Sequence, residues 1–234
     1  LRDHVLALIE RERQHAASGG LARIIVKMNG LVEPSVIDAL YHASQAGVHI
    51  DLLIRGICCL RAGLPGVSET IRVVSIVDRF LEHSRVFYFE NAGAPEVFLA
   101  SADWMPRNFF RRIEVMFPIE DARLKSRIVD SILPVMLSDN VKSRLQQPDG
   151  SYIRAPRAPH EPPIRSQVVL QGQARESARE LGDRKHRLFV PIVRQAGRND
   201  GNGGDAQRAR RTAGRKPARK NFCGSTASPS MRVS

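Results

Sequence analysis

The sequence predicts an α/β domain in which a mixed sheet is flanked by helices. Short runs rich in β-branched residues alternate with amphipathic stretches whose apolar residues recur at helical spacing. The links between them are short, as in units of strand, helix and strand. Hydrophobic residues make up 42% of the chain, which is enough for a buried core and excludes wholesale disorder.

The N-terminal part of the chain predicts a helix followed by a strand–helix–strand unit. Residues 1–18 form an amphipathic helix that ends at Gly19 and Gly20. Residues 21–28 are an apolar run with a β-branched centre, a helix begins at Pro34 and ends at Gly47, and residues 48–54 are the next strand. Such a unit implies a right-handed crossover and parallel pairing of its two strands.

The following part predicts further strands and one longer helix. A loop marked by Gly63 and Pro65 precedes a strand at residues 71–76, and a turn at residues 91–95 joins two more strands. A helix is expected at residues 121–137, with Pro134 kinking its end. The two strands joined by the turn at residues 91–95 are residues 85–89 and 96–100, and one further strand is predicted at residues 112–117.

The composition changes near residue 154, so the predicted domains are 1–154, the α/β domain, and 155–234, a basic and largely disordered tail. Residues 155–163 contain four prolines, and Gly, Arg and Ala dominate from Gln195 onward. Through Gly150 the chain has 18 Lys+Arg and 18 Asp+Glu, which leaves 18 against 6 beyond that point. The net charge of +12 therefore belongs to the last third of the chain.

The cysteines indicate a reducing compartment, and the hydropathy predicts no membrane span. Cys58 and Cys59 are adjacent and Cys223 is remote, so they predict neither a disulfide framework nor a zinc site. No apolar run reaches the roughly 18 residues of a membrane span, and no signal peptide opens the chain. We expect a cytoplasmic protein, with membrane association left open, and the start at Leu1 without Met suggests a fragment of a longer one.

A histidine and an arginine two residues apart point to phosphate chemistry. His83 and Arg85 lie where the chain is expected to be extended, so both side chains would face the same way. An imidazole beside a fixed cation suits a site that holds or transfers a phosphoryl group. The spacing H-x-R-x4-E, which ends at Glu90, resembles the H-x-K-x4-D of the phospholipase D superfamily, and Ser101 and Asn108 lie near that superfamily's downstream position. The spacing by itself is weak evidence, because a surface histidine beside an arginine is common.

Longer sequence segments are more specific evidence of a family. The segments IRGICCLRAG, SIVDRFLEHSR and SADWMPRN, within residues 1–154, closely resemble the C-terminal domain of the long-chain bacterial polyphosphate kinases. The resemblance implies a phospholipase D-like fold and reversible transfer of the ATP γ-phosphate to polyphosphate through a phosphohistidine. The nucleophilic histidine of that family lies in a preceding domain, so we expect this chain alone to be inactive or nearly so.

The resemblance assigns ATP phosphate contacts to Arg55 and His83. Arg55 ends a predicted strand, where α/β sheets usually place ligands, and a guanidinium can bind phosphate oxygens in a bidentate way. His83 matches the second family histidine, which contacts ATP and would act as the catalytic acid or base by protonating the leaving oxygen. The alternatives are a surface arginine and a structural histidine.

Other residues are weaker candidates. Arg85 would steer polyphosphate or simply pair with a carboxylate such as Glu90, and Asn108 belongs to a loop that would shape the pocket. Mg²⁺ is expected with ATP, although nothing in this chain is a convincing ligand for it. Further weak candidates are Lys27, Asn29, Arg61, Arg79, Ser101, Asp103, Arg107, Arg111 and Arg112.

The resemblance also implies partners, and two other functions stay open. ATP, ADP and polyphosphate would be the ligands, the remaining domains of the full-length enzyme the partners, and the full-length enzyme a homo-oligomer. A phospholipase D-type phosphodiesterase would need a lysine in place of Arg85 and a second motif. A basic polyanion-binding module would act through the tail by releasing counterions, although a solvated tail without function is the simpler interpretation.

Overall fold

Eight strands form one mixed sheet in the computed structural model, which describes residues 1–179. In chain order they are β1 (Arg23–Met28), β2 (His49–Ile54), β3 (Ile71–Ile76), β4 (Arg85–Phe89), β5 (Glu96–Ala100), β6 (Met116–Pro118), β7 (Ser143–Gln146) and β8 (Tyr152–Arg154). Their order across the sheet is β6-β5-β4-β1-β2-β3-β7-β8. The strand pairs β1–β2 and β2–β3 are parallel, and the other pairings within the described residues are antiparallel.

Helices cover both faces of this sheet. On one face, α1 (Arg2–Ala17) and α2 (Pro34–Gln45) bury residues such as Val5 and Val36 against the strands. On the other face, Leu133 and Met136 of α5 (Leu133–Leu137) are buried in a second apolar cluster. The remaining helical elements are α3 (Pro106–Arg111), α4 (Ala122–Ser126), a π-helical turn (Arg127–Ile132) and residues 166–179. The predicted mixed sheet with flanking helices is confirmed.

Both faces of β1 are buried because its alternate side chains enter different clusters. Ile24 and Val26 pack under α1 and α2, whereas Ile25 packs on the α5 side. Successive side chains of a strand point to opposite faces, so a strand covered by helices on both sides reads as an unbroken apolar run. Each such side chain contributes roughly 1.5–3 kcal/mol of burial free energy.

Most predicted elements have the expected bounds, and one strand does not. The parallel pairing of β1 with β2 and the bounds of β3, β4 and β5 are confirmed. The strand predicted at residues 112–117 is wrong in extent, because β6 covers only Met116–Pro118 and the short helix α3 precedes it. The ladder stops at Val115, whose N–H donates to the side-chain Oγ of Ser101 rather than to a backbone carbonyl.

The helix predicted at residues 121–137 is confirmed as helical but not as one regular α-helix. Asp121 caps its start by accepting the N–H groups of Arg123 and Leu124. A π-helical turn then separates α4 from α5 and ends at Ile132, two residues before Pro134. Because proline has no N–H to donate, the regular hydrogen-bond ladder is interrupted upstream of it. The predicted kink at Pro134 is thus replaced by a wider turn.

The segment after β8 continues on the folded domain. Residues 166–179 are helical, and buried Ser166 and Gln167 contact the sheet domain. The domain boundary at residue 154 stays a prediction, and the predicted disorder beyond residue 179 lies outside the described residues. Up to that residue, the chain contains no helix that is long and apolar enough to cross a membrane.

Candidate functional site

Three strand ends bring the predicted site residues to one edge of the sheet. Met28 at the end of β1 lies beside Ile54 at the end of β2. The antiparallel strand β4 begins at the same edge, since Val86 pairs with Lys27. Asn29, Arg55 and the residues before β4 therefore converge, as expected for the carboxyl ends of parallel strands.

Arg55 is held from behind by its Nε atom. That Nε–H donates to Oδ1 of Asn29 at 2.8 Å and to the backbone carbonyl of Glu82 at 2.7 Å. The side chain is half-buried, and within residues 1–179 neither of its Nη groups has a hydrogen-bond partner. The Nη edge of a fixed guanidinium is therefore available to the oxygens of a phosphate.

His83 lies in the loop before β4 rather than on the strand. The strand begins at Arg85, so the predicted strand geometry for this histidine is wrong. The two side chains nevertheless meet, because Nη1 of Arg85 lies 3.5 Å from Nδ1 of His83 and donates to the His83 carbonyl at 3.1 Å. The imidazole is exposed and one residue away from Glu82, whose carbonyl fixes Arg55.

Arg85 pairs with the carboxylate of Asp103 and not with that of Glu90. Its Nε and Nη2 atoms each donate to Asp103 at 3.1 Å, a bidentate pair in which both side chains are nearly buried. Asp103 also accepts the backbone N–H of Asn29 at 2.8 Å and its side-chain amide at 3.0 Å. Burial alone would raise the pKa of Asp103, but these donors outweigh it and lower the pKa. Glu90 instead accepts a hydrogen bond from the hydroxyl of Tyr88.

Lys27 is a third cation of the site and is buried. Its Nζ donates to the carbonyl of Ser84 at 3.1 Å and lies 3.2 Å from the carboxylate of Glu82. Burial lowers its pKa, Glu82 offsets part of that effect, and the neighbouring charges of Arg55 and Arg85 lower it further. The cations at this edge therefore repel one another, and a bound anion would relieve that repulsion.

Asn108 belongs to a separate polar cluster. It is buried on α3, its amide Nδ2 donates to Glu114, and its Oδ1 is buried without a partner among the described residues. Glu114 also accepts the hydroxyl of Ser101. Sequence reasoning named Ser101 and Asn108 but missed Glu114. The signal available for Glu114 was a carboxylate within the predicted strand at residues 112–117, of which only the last part is β6.

Among the described residues, the other weak candidates make no hydrogen bond or ion pair with Arg55, His83 or Lys27, although Arg79 lines the cavity beside Arg55. Arg61 donates to the carbonyl of Pro148 at 3.4 Å. The guanidinium carbon of Arg79 lies 5.5 Å from the centroid of the Phe80 ring. Arg107, Arg111 and Arg112 are exposed on and after α3. Trp104, which lies between Asp103 and α3, is fully buried and packs against the ring of Phe87.

A cavity of about 320 Å³ opens beside Arg55. A larger one of about 610 Å³ lies at the opposite ends of the parallel strands, where Arg23 and Arg72 both pair with Asp51. The larger cavity is therefore remote from the predicted site. The smaller one is lined by Arg55, Ile76, Val77, Asp78, Arg79, Phe80, Leu81 and Glu82.

Comparison with known proteins shows the family. The family model described as "Polyphosphate kinase C-terminal domain 2" matches residues 1–167. The chain belongs to this family. Polyphosphate kinase of Synechocystis is 50% identical over 174 residues, which are 74% of this chain and 24% of the relative. That of Neisseria meningitidis serogroup B is 56% identical over 155 residues, which are 66% of this chain and 23% of the relative.

A solved structure agrees with this assignment. The crystal structure of polyphosphate kinase from Porphyromonas gingivalis matches with a TM-score of 0.72 and 41% identity, covering 76% of this chain and 27% of that one. The chain thus spans about a quarter of the length of the polyphosphate kinases it matches.

In the described part of the chain, the polyphosphate kinase domain offers no free carboxylate for a metal at this edge. Asp103 is occupied by Arg85 and Asn29, and Glu82 by Lys27 and Gln167. Among residues 1–179 no group of three or more His, Cys, Asp or Glu side chains could hold a metal ion. The described residues therefore do not fit a Mg²⁺ site of their own.

Proposed function

We propose that this chain supplies the phosphate-holding half of a polyphosphate kinase active site. The reaction would move the γ-phosphate of Mg²⁺-bound ATP to polyphosphate, reversibly. The observation that supports it most directly is Arg55, fixed through Nε while its Nη edge has no partner in the described part of the chain. Around it stand an exposed imidazole and two further cations, His83, Lys27 and Arg85.

Each residue would have a distinct task. Arg55 would bind the terminal phosphate oxygens in a bidentate way, which orients the phosphorus for attack. His83 would hold or donate a proton at the leaving oxygen. Lys27 and Arg85, each neutralised in part by a carboxylate, would add positive potential behind the phosphates as charge develops in transfer. The attacking histidine is expected in the preceding domain, so this chain would not complete the reaction alone.

The proposed function also implies substrates, partner domains and a cellular location for the chain. ATP, ADP and polyphosphate are the substrates it implies, and the remaining domains of a full-length enzyme are the partners. ATP chemistry and the free thiols of Cys58 and Cys59 support a cytoplasmic location. Homo-oligomerisation of the full-length enzyme stays a prediction, which native mass measurement would check.

The binding step is testable with the chain itself. Isothermal titration with inorganic tripolyphosphate and with Mg²⁺-ATP should show binding that Arg55→Ala weakens about tenfold or more, because a charge-assisted bidentate contact is lost. His83→Gln should weaken ATP binding less. Arg123→Ala is the matched control, since that arginine is 93% exposed on α4. Equal losses in Arg55→Ala and Arg123→Ala would show only non-specific charge attraction and contradict the proposal.

The catalytic step needs the missing domain. The isolated chain should make no polyphosphate from ATP, and adding the upstream domains should restore synthesis that His83→Ala abolishes. ATP-dependent synthesis by the isolated chain would contradict the assignment of the nucleophile to another domain.

A further inference from the structure

Two segments that are far apart in sequence are joined beside the phosphate site. The site loop, residues 77–84, runs from β3 to β4 and carries Glu82 and His83. The strap, residues 162–167, comes after β8 and ends in the first residues of the helical segment 166–179. Nothing in the local sequence of either segment predicts that they meet.

The strap is anchored to the body of the domain. Asp139, which is 3% exposed, accepts the N–H of Ser166 at 2.8 Å and its hydroxyl at 2.7 Å. Asn140 donates its N–H to the carbonyl of Ile164 at 3.0 Å, and its Oδ1 accepts the N–H of Ile164 at 2.8 Å. These bonds give the strap a defined position after α5.

From that position the strap holds the site loop with two side chains. Arg165 makes a bidentate pair with Asp78 at 2.7 and 2.6 Å. Gln167, 7% exposed, directs its whole amide at the loop. Its Oε1 accepts the N–H of Phe80 at 2.9 Å, and its Nε2 donates to the Phe80 carbonyl at 2.9 Å and to Oε1 of Glu82 at 2.8 Å.

Glu82 passes this constraint to two cations of the site. Its backbone carbonyl accepts the Nε–H of Arg55 at 2.7 Å, and its second carboxylate oxygen lies 3.2 Å from Nζ of Lys27. A shift of Glu82 would therefore move the acceptor that aims Arg55 and expose the buried charge of Lys27. Displacements of about 1 Å in a positioning group are enough to impair phosphoryl transfer severely.

We infer that Gln167 is a positioning residue of the phosphate site, which aims Arg55 and retains Lys27 by fixing Glu82. The inference rests on the proposed function for the ligand, but the positioning itself can be measured without one. A buried glutamine whose donors and acceptor all serve one loop specifies a single loop geometry, because any other geometry leaves its polar atoms unpaired.

The test compares Gln167→Glu with Gln173→Glu. The first change replaces both donated hydrogen bonds by a carboxylate facing the Phe80 carbonyl and Glu82. The second makes the same substitution on the same helical segment, where Gln173 only accepts a bond from Ser131 at 3.3 Å. Hydrogen exchange at the Nε–H of Arg55, followed by NMR, reports the bond to Glu82 directly. It should become about tenfold faster in Gln167→Glu and stay unchanged in Gln173→Glu.

Tripolyphosphate binding supplies the functional measurement. Gln167→Glu should weaken it about tenfold at pH 8. The ratio to wild type should fall towards one as the pH falls to 5, because the adjacent Glu82 carboxylate raises the pKa of the introduced carboxyl, which then carries a proton that it can donate. A role in folding alone would not produce that pH profile. Reversing the pair, with Glu82→Gln added to Gln167→Glu, should restore part of the binding.

Wild-type exchange at Arg55 in Gln167→Glu, or faster exchange with unaltered tripolyphosphate binding, would overturn the inference. If the wild-type chain binds no tripolyphosphate, the proposed function fails, while the exchange rates still decide whether Gln167 positions Arg55. Should Gln167→Glu unfold, Gln167→Met of similar size removes the amide without adding charge and is subject to the same two readouts.

Discussion

Two carboxylates hold the cations of the site in place before any ligand binds. Asp103 accepts two hydrogen bonds from Arg85 and two from Asn29, and Glu82 pairs with Lys27. Each carboxylate fixes the direction of a cation and offsets part of its charge. A phosphate would therefore meet a preorganised site and lose less free energy in ordering it.

At this residue scale, Asp103→Asn should lower the free energy of unfolding by about 3 kcal/mol, because it leaves the nearly buried Arg85 charge without its partner. Urea unfolding followed by circular dichroism measures the change. Asp3→Asn is the control, since the pair of Asp3 with Arg2 is largely exposed and its loss should change stability by less than about 1 kcal/mol. Similar small effects in both variants would show that Asp103 does not stabilise the fold.

The lowered pKa of Asp103 also predicts a pH dependence. Its folded pKa lies below the ordinary 3.8, so the folded state binds this proton later than the unfolded state as the pH falls. The stabilisation is complete above about pH 5 and is lost as the pH falls through about 4 and below. Asp103→Asn should therefore show a shallower loss of stability between pH 5 and pH 3. An equal loss of unfolding free energy between pH 5 and pH 3 in the two proteins would contradict this assignment.

At the scale of elements, the turn after β2 depends on a glycine. The N–H of Gly56 donates to the carbonyl of Asn29 at 3.0 Å, so the ends of β1 and β2 touch through backbone. A Cβ at Gly56 would lie 2.6 Å from that carbonyl oxygen. Asn29 is the residue whose side chain holds Arg55, so crowding there reaches the site.

Gly56→Ala should therefore destabilise the fold by about 1–3 kcal/mol and weaken tripolyphosphate binding, since the backbone of Asn29 must move. Gly172→Ala is the matched control. That glycine lies within helical residues 166–179 and a Cβ there meets nothing within 4 Å, so its replacement should stabilise the chain by up to about 1 kcal/mol. Thermal unfolding and tripolyphosphate titration of both variants check these expectations. Unaltered binding in Gly56→Ala would show that the turn after β2 does not influence the phosphate site.

At the scale of the whole molecule, the strap makes residues beyond 154 part of the folded unit. Arg165, Ser166 and Gln167 contact Asp78, Asp139 and the site loop. The family match runs to residue 167, which includes them. Sequence reasoning placed the boundary at residue 154 because prolines and a change of composition follow it.

Two truncations test this organisation. A chain ending at residue 154 should unfold at lower urea and bind tripolyphosphate more weakly than one ending at residue 179, which keeps the strap. The chain ending at residue 179 should bind like the full chain if Arg55 carries the binding. Binding that disappears with residues 180–234 would instead favour the polyanion-binding module, whose salt dependence would be steep.

The strands and their residues at the sheet edge could be predicted from local patterns. Runs such as residues 71–76 and 85–89 are defined by β-branched and aromatic residues, and parallel pairing followed from the short strand–helix–strand links. Arg55 could be placed at the edge because it follows an apolar strand directly. The short helix α3 was missed, since tertiary contacts of buried Asn108 and Trp104 outweigh the weak local signal.

The sequence by itself determined the fold class, the family resemblance and the position of Arg55 directly after β2, because periodicity and motifs are local properties of the chain. Only the tertiary structure decided which charges are paired. Arg85 pairs with Asp103 rather than with Glu90, and Gln167 reaches Glu82 across 85 residues. Such pairings depend on strand register and on the path of loops, and both are settled by the packing of the whole domain.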